Sequence, residues 1–104
     1  MIESNDTETI EYYIGKIGVS VVLFRSTLCN SCVTAAKELK VIEESGEFPI
    51  YCVNIYKNKE LASKYSIEKV PTVIIFVNGR IKSILVGSSN KFEYLSEIKK
   101  ALVI

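Results

Sequence analysis

Five residues, Ser20-Val21-Val22-Leu23-Phe24, limit the choice of fold more than any other stretch of this chain. The run is nearly all apolar and β-branched, with no polar alternation. A strand with one wet face alternates apolar and polar residues, so an unbroken run is a strand covered on both faces. Such a strand belongs to the middle of a sheet that carries other layers above and below it. The next residues, Thr27-Leu28-Cys29-Asn30-Ser31-Cys32-Val33, hold two cysteines three positions apart, and an amphipathic run follows directly. On one helical turn the two sulfurs are close enough to bond to each other or to share a metal. A cysteine where a strand hands over to a helix sits at the positive end of the helix dipole, beside unpaired N–H groups. That setting lowers a thiol pKa from about 8.5 into a range of roughly 3.5–7.5, and the thiolate is the reactive form.

The remaining elements are spaced to build the sheet. Asn5-Asp6-Thr7-Glu8 predicts a helix start with Asn5 as cap, and Ile10, Tyr13, Ile14 and Ile17 recur at helical spacing toward Gly15 and Gly18. From Ser31 to about Ser45, Cys32, Ala35, Ala36, Leu39 and Ile42 line one face opposite Lys37, Glu38, Lys40, Glu43 and Glu44, and Gly46 is a natural stop. Pro49 introduces a second apolar run, Ile50 to Ile55, and Lys57 to Glu60 leads into a short helix through Leu61, Ala62 and Tyr65. Val70-Pro71-Thr72 opens a third run through Val77. Asn78-Gly79 then predicts a two-residue hairpin turn, with Arg80 to Val86 as the partner strand and Gly87 at its end. Lys91 to Leu102 closes as a helix with Phe92, Leu95, Ile98 and Leu102 on one side. The predicted order is α-β-α-β-α-β-β-α. A helix between consecutive apolar strands implies a right-handed parallel crossover, and the hairpin adds one antiparallel strand. The expected fold class is therefore α/β, with a mixed sheet of four to five strands and helices on both faces.

Composition narrows function by exclusion. With 104 residues the chain is expected to form one domain, residues 1–104. Hydrophobic residues at 48% and charged residues at 24% fit a globular chain. Thirteen basic against 12 acidic residues, spread along the sequence, make no face for nucleic acid or an anionic membrane. No run approaches the roughly 18 apolar residues of a membrane span. Met1 to Asp6 is polar and acidic and lacks the marks of a secretory signal, so a cytoplasmic location is expected. Three cysteines and no histidine fall short of the four ligands of a structural zinc site, although a cluster shared between two subunits would have enough thiolates. In a reducing compartment a Cys-x-x-Cys pair points to catalysis or metal binding rather than to a structural staple.

Taken together, these residues resemble the thioredoxin superfamily. The likeness rests on Cys29-Asn30-Ser31-Cys32 after the first strong strand, on Val70-Pro71-Thr72, and on Phe76-Val77-Asn78-Gly79-Arg80 with Gly87 beyond. It covers nearly the whole chain, with Met1 to Glu3 as a stub of a full thioredoxin's first strand. The resemblance implies a thiol–disulfide oxidoreductase acting on protein disulfides, in which Cys29 and Cys32 pair as a disulfide, Cys29 attacks and Cys32 resolves. It implies a cis Pro71, and a substrate surface made of Leu28, Val70, Pro71, Thr72 and Gly87, where Gly87 leaves room for a partner. It further implies a monomer with no bound cofactor or metal, recharged by a thioredoxin-reductase-like partner.

The departures from the family pattern matter too. Leu28 stands where thioredoxins carry tryptophan, and Asn30-Ser31 where they carry glycine-proline. The buried aspartate of the family falls on Leu23 and its lysine neighbour on Cys52, so both polar partners have become apolar together. A lone buried charge costs several kcal/mol, which makes the joint change coherent. Slower turnover than in a typical thioredoxin is expected. Arg25 is the nearest cation in sequence to Cys29, either attending its thiolate or simply solvated, and Cys52 reads as a core thiol rather than a regulatory one. Two other readings compete: a redox-sensing or binding module with little turnover, and a glutathione-dependent, glutaredoxin-like enzyme.

Overall fold

The structure, a computed structural model, describes residues 1–45 and 48–102. The chain runs β1 (Ile2–Glu3), α1 (Thr7–Ile14), β2 (Val19–Arg25), α2 (Asn30–Glu44), β3 (Ile50–Asn54), α3 (Lys59–Lys64), β4 (Thr72–Val77), β5 (Arg80–Val86) and α4 (Lys91–Leu102). The strands form one sheet in the order β1-β3-β2-β4-β5. The apolar run of β2 lies at its centre, parallel to β3 and antiparallel to β4. Successive β2 residues go to opposite faces, and both faces are covered. Val21 and Leu23 join Val73 and Ile75 against Leu39 and Ile42 of α2 and Tyr94 and Ile98 of α4. Val22 and Phe24 join Ile74 and Phe76 against Ile10 and Ile14 of α1 and Leu61 of α3.

Strand direction follows from where each connection delivers the chain. The 15 residues of α2 span about 22 Å at 1.5 Å per residue. That matches the roughly 23 Å of the seven-residue β2, so the chain returns to its starting end and β3 enters parallel. The six residues of α3 span only about 9 Å. Here the connection does not return the chain along β3: β4 starts at the end where β3 stopped and runs antiparallel to β2. The expected parallel crossover is found across α2, and across α1 from the short β1, and fails at α3. The hairpin follows the expected turn chemistry, because Asn78 and Gly79 take φ of 51° and 83°. The Asn78 carboxamide oxygen also accepts the Gly18 N–H at 2.7 Å, tying the turn to the loop before β2.

Two local details differ from the sequence reading, and a third falls outside the described residues. The cap of α1 is Asp6, whose carboxylate accepts the Thr9 N–H at 3.0 Å. Thr9's hydrogen bonds hold that carboxyl below its usual pKa. Asn5 is spent elsewhere: its carbonyl accepts the side-chain amide of the buried Asn58, which caps α3. The expected stop at Gly46 lies outside the described residues, and Ser45 caps α2. On α4 the buried residues are Tyr94, Ile98 and Ala101, while Phe92 is 74% exposed. Two positions apart on a helix, Phe92 and Tyr94 cannot both face the sheet, and the core takes Tyr94, whose hydroxyl accepts the Ser89 N–H.

Candidate active site

The turn after β2 delivers its cysteines unequally. Cys29 is the N-cap of α2, with φ −120° and ψ 103°, and its sulfur accepts the Cys32 N–H at 3.2 Å. Cys29 is half-buried, whereas Cys32, one turn into the helix, is fully buried. The two are joined as a disulfide with a Cα–Cα distance of 5.2 Å. In the reduced pair, the same N–H and the helix N-terminus favour negative charge on the outer sulfur. Ser31 adds a hydroxyl 3.5 Å from that sulfur. Leu28 holds φ 59°, a left-handed conformation that costs a non-glycine residue about 1–2 kcal/mol. Its side chain is fully exposed beside Cys29.

Pairing brings a second loop to the same end of the sheet. Thr72 begins β4 opposite Phe24 of β2, so Val70 and Pro71 stand off the edge from which the cysteine turn leaves. The Val70–Pro71 peptide is cis. Thr72 is buried and its hydroxyl donates to the Lys69 carbonyl at 2.6 Å, which braces the loop. Gly87, just past β5, donates its N–H to the Pro71 carbonyl at 2.8 Å. Its φ is +90°, and a Cβ added there would meet nothing of this chain within 4 Å. Backbone conformation is therefore the glycine's requirement within the chain. Gly87→Ala is expected to lower stability by about 1–2 kcal/mol with the fold retained, measured by urea unfolding. An unchanged midpoint would refute this account of the position.

Beneath the dithiol the sheet is apolar. Leu23 and Cys52 face each other across β2 and β3, and both are buried. Among the described residues the buried polar side chains are Ser20, Ser26, Asn54, Asn58 and Thr72, with no carboxylate among them. Burial pushes the Cys52 thiol up, while the charge of Arg25 pulls it down. The cation proposed from sequence for Cys29 thus bears on Cys52. With the dithiol oxidised, Cys52 is expected to resist a thiol-specific reagent such as DTNB at neutral pH and to react at once in urea. Rapid labelling of the native protein would count against its core placement. Sequence reading missed Asn54, which ends β3 and donates to the Thr27 hydroxyl at 3.2 Å, holding the start of the cysteine turn. The available signal was a polar residue closing an apolar run.

The thioredoxin family model matches residues 2–100. The chain belongs to the thioredoxin family. It is 29% identical to a thioredoxin of Griffithsia pacifica over 99 residues, 93% of this chain and 91% of that one. Identity to a thioredoxin of Buchnera aphidicola is 30% over 95 residues, 89% of this chain and 88% of the relative. A chloroplastic M-type thioredoxin of spinach is 28% identical over 100 residues, and the chain spans only 55% of that relative's length. Among solved structures, Fasciola hepatica thioredoxin superposes with a TM-score of 0.86 at 24% identity, covering 96% of this chain and 98% of that one. Trypanosoma brucei thioredoxin gives 0.87 at 19% identity, covering 98% and 90%. With the paired cysteines at the start of α2, the chain is a thiol–disulfide oxidoreductase of the thioredoxin type, a protein-disulfide reductase. At the two positions where the resemblance puts the family's buried acid and its lysine neighbour, this chain carries the buried, paired Leu23 and Cys52.

Proposed function

We propose that the chain reduces disulfides of other proteins, with Cys29 as nucleophile and Cys32 as the resolving thiol. The unequal burial of the pair supports this assignment most directly: the half-buried cysteine is the N-cap, and the fully buried one lies a turn behind it. The Cys29 thiolate attacks one sulfur of the substrate disulfide, forming a mixed disulfide, and the departing substrate thiolate takes up a proton. Cys32, once deprotonated, attacks the Cys29 sulfur. The second substrate thiolate leaves, two electrons have passed to the substrate, and the Cys29–Cys32 disulfide remains. Leu28, Val70, Pro71 and Gly87 supply the surface over which an extended substrate segment lies, and Thr72 holds that loop in place.

A disulfide reductase of the thioredoxin-reductase kind returns the electrons, and the chain itself carries no cofactor or metal. It works as a monomer, and the cytoplasm is the proposed compartment. Among the described residues, no helix is long and apolar enough to cross a membrane. Insulin reduction with dithiothreitol tests the reading: wild type accelerates precipitation of the B chain, and Cys29→Ser does not exceed the uncatalysed rate. Wild type without any acceleration overturns it.

The apolar Leu23–Cys52 pair favours one competing reading, a redox-responsive binding module in which the dithiol switches partner affinity. Among the described residues no buried carboxylate is there to draw the proton from Cys32. A dithiol potential far from the cellular poise, with no reductase able to recycle the protein, supports the module over the enzyme.

A further inference from the structure

The exposed stripe of α4 presents apolar side chains and lysines together. Phe92, Leu95 and Lys99 follow one another at intervals of three and four residues and form a ridge along the helix. A groove of about 260 Å³ lies on one side of it, walled by Val41 and Ile42 of α2. On the other side is an open concavity of about 430 Å³ that runs to Ser96 and Lys100. Phe92 is 74% exposed and Val41 46%, although both are large apolar side chains beside a well-filled core. The lining carries Lys91, Lys99 and Lys100 and no acid. Lys100 is paired with Glu97, but among the described residues Lys91 and Lys99 make no ion pair. The Lys91 ammonium lies 5.3 Å from the centre of the Phe92 ring, so cation and apolar surface belong to one patch. None of Leu28, Cys29, Val70, Pro71 or Gly87 lines either hollow.

From this we infer that the α2–α4 face binds an acidic amphipathic helix of a partner protein, whose apolar residues enter the two hollows beside the Phe92 ridge and whose carboxylates meet Lys91 and Lys99. Two open hollows flanking a helical ridge suit side chains repeating along a second helix better than one compact ligand or an acyl chain, which needs an enclosed channel. Lysine rims favour an acidic partner and penalise a basic one, which supplies selectivity as well as attraction. The inference goes beyond the oxidoreductase reading, because the partner is held while the dithiol end stays open.

The probe is a fluorescein-labelled helix-forming peptide of roughly 15 residues, with leucine along one face and glutamate on the other. Anisotropy should show binding to the full chain that weakens as salt is raised. Phe92→Ser should weaken it by about tenfold or more. Lys91→Gln with Lys99→Gln should weaken it several-fold. Both variants should keep wild-type insulin reduction, while Cys29→Ser should keep peptide binding, so failure here and failure of the oxidoreductase reading are separable. Absence of binding, equal binding by Phe92→Ser, or equal binding of a peptide with lysine in place of glutamate overturns the inference. So does Phe92-dependent binding to phosphatidylglycerol vesicles, which would make the face a lipid surface. Self-association abolished by Phe92→Ser would make it a contact between copies of this chain, and likewise overturns the inference.

Discussion

Cys32→Ser is expected to cut protein-disulfide turnover to the uncatalysed background while the variant accumulates as a mixed disulfide through Cys29. The half-buried N-cap cysteine keeps its sulfur, its helix end and its route to substrate, so the first attack proceeds. The second step is lost. In the native pair the resolving sulfur is fixed one turn away, at a Cα–Cα distance of 5.2 Å. Well-oriented intramolecular attack reaches effective concentrations of about 10⁵ M or more, which millimolar external thiol cannot replace. Serine is close to cysteine in size, so the fold should survive at a cost of about 1–3 kcal/mol for a buried hydroxyl without a partner. Incubation with oxidised substrate followed by intact-mass measurement reads the trapped adduct directly. Undiminished turnover on protein disulfides in Cys32→Ser would remove the resolving role. Activity surviving only on glutathione mixed disulfides would move the chain to the glutaredoxin-like reading.

What the sequence reveals here depends on the range of the force that fixes each feature. The unbroken apolar run of β2 reports burial on both faces, and Asn78-Gly79 reports a turn that needs positive φ twice; both are local statements and both hold. The position of the dithiol at the strand–helix handover is local as well. Features fixed by competition between distant residues were not legible. Asn5 loses the cap of α1 to Asp6, while its carbonyl is engaged by Asn58, far along the chain. The direction of β4 depends on where the whole β3–β4 connection delivers the chain, which no periodicity encodes. Phe92 reads as core on the apolar face of α4, yet the sheet takes Tyr94 and leaves Phe92 outside. At the site, the positive φ of Leu28 had no sequence signal, because leucine does not favour that conformation. The destination of Arg25 also lay beyond reading, since a long side chain leaving a strand end can lean along either neighbour.

Leu23→Asp is expected to have the largest effect on stability. The carboxylate would lie within the sheet opposite Cys52, and among the described residues the buried polar side chains include no cation. Loss of the leucine alone costs about 2–5 kcal/mol, and a buried unpaired charge adds several more. Against a total stability of about 5–15 kcal/mol, the variant should be close to unfolding at pH 7. Burial raises the pKa of the new aspartate in the folded state above its unfolded value of about 3.9. The folded state then holds its proton to higher pH than the unfolded chain does. The penalty is therefore smallest below pH about 4, grows as pH rises toward the folded-state pKa, and levels off above it. Cys52→Lys alone buries a cation near the partly buried Arg25 and is also expected to be costly. The two changes together place opposite charges directly across adjacent strands, so the double variant should be more stable than the sum of the singles predicts, by about 2–3 kcal/mol. Urea titrations of the four proteins at pH 4 and pH 7 measure both the coupling and its pH dependence. Strict additivity at pH 7 would mean that Leu23 and Cys52 do not act as a pair, and that losing the polar partners together had no energetic logic.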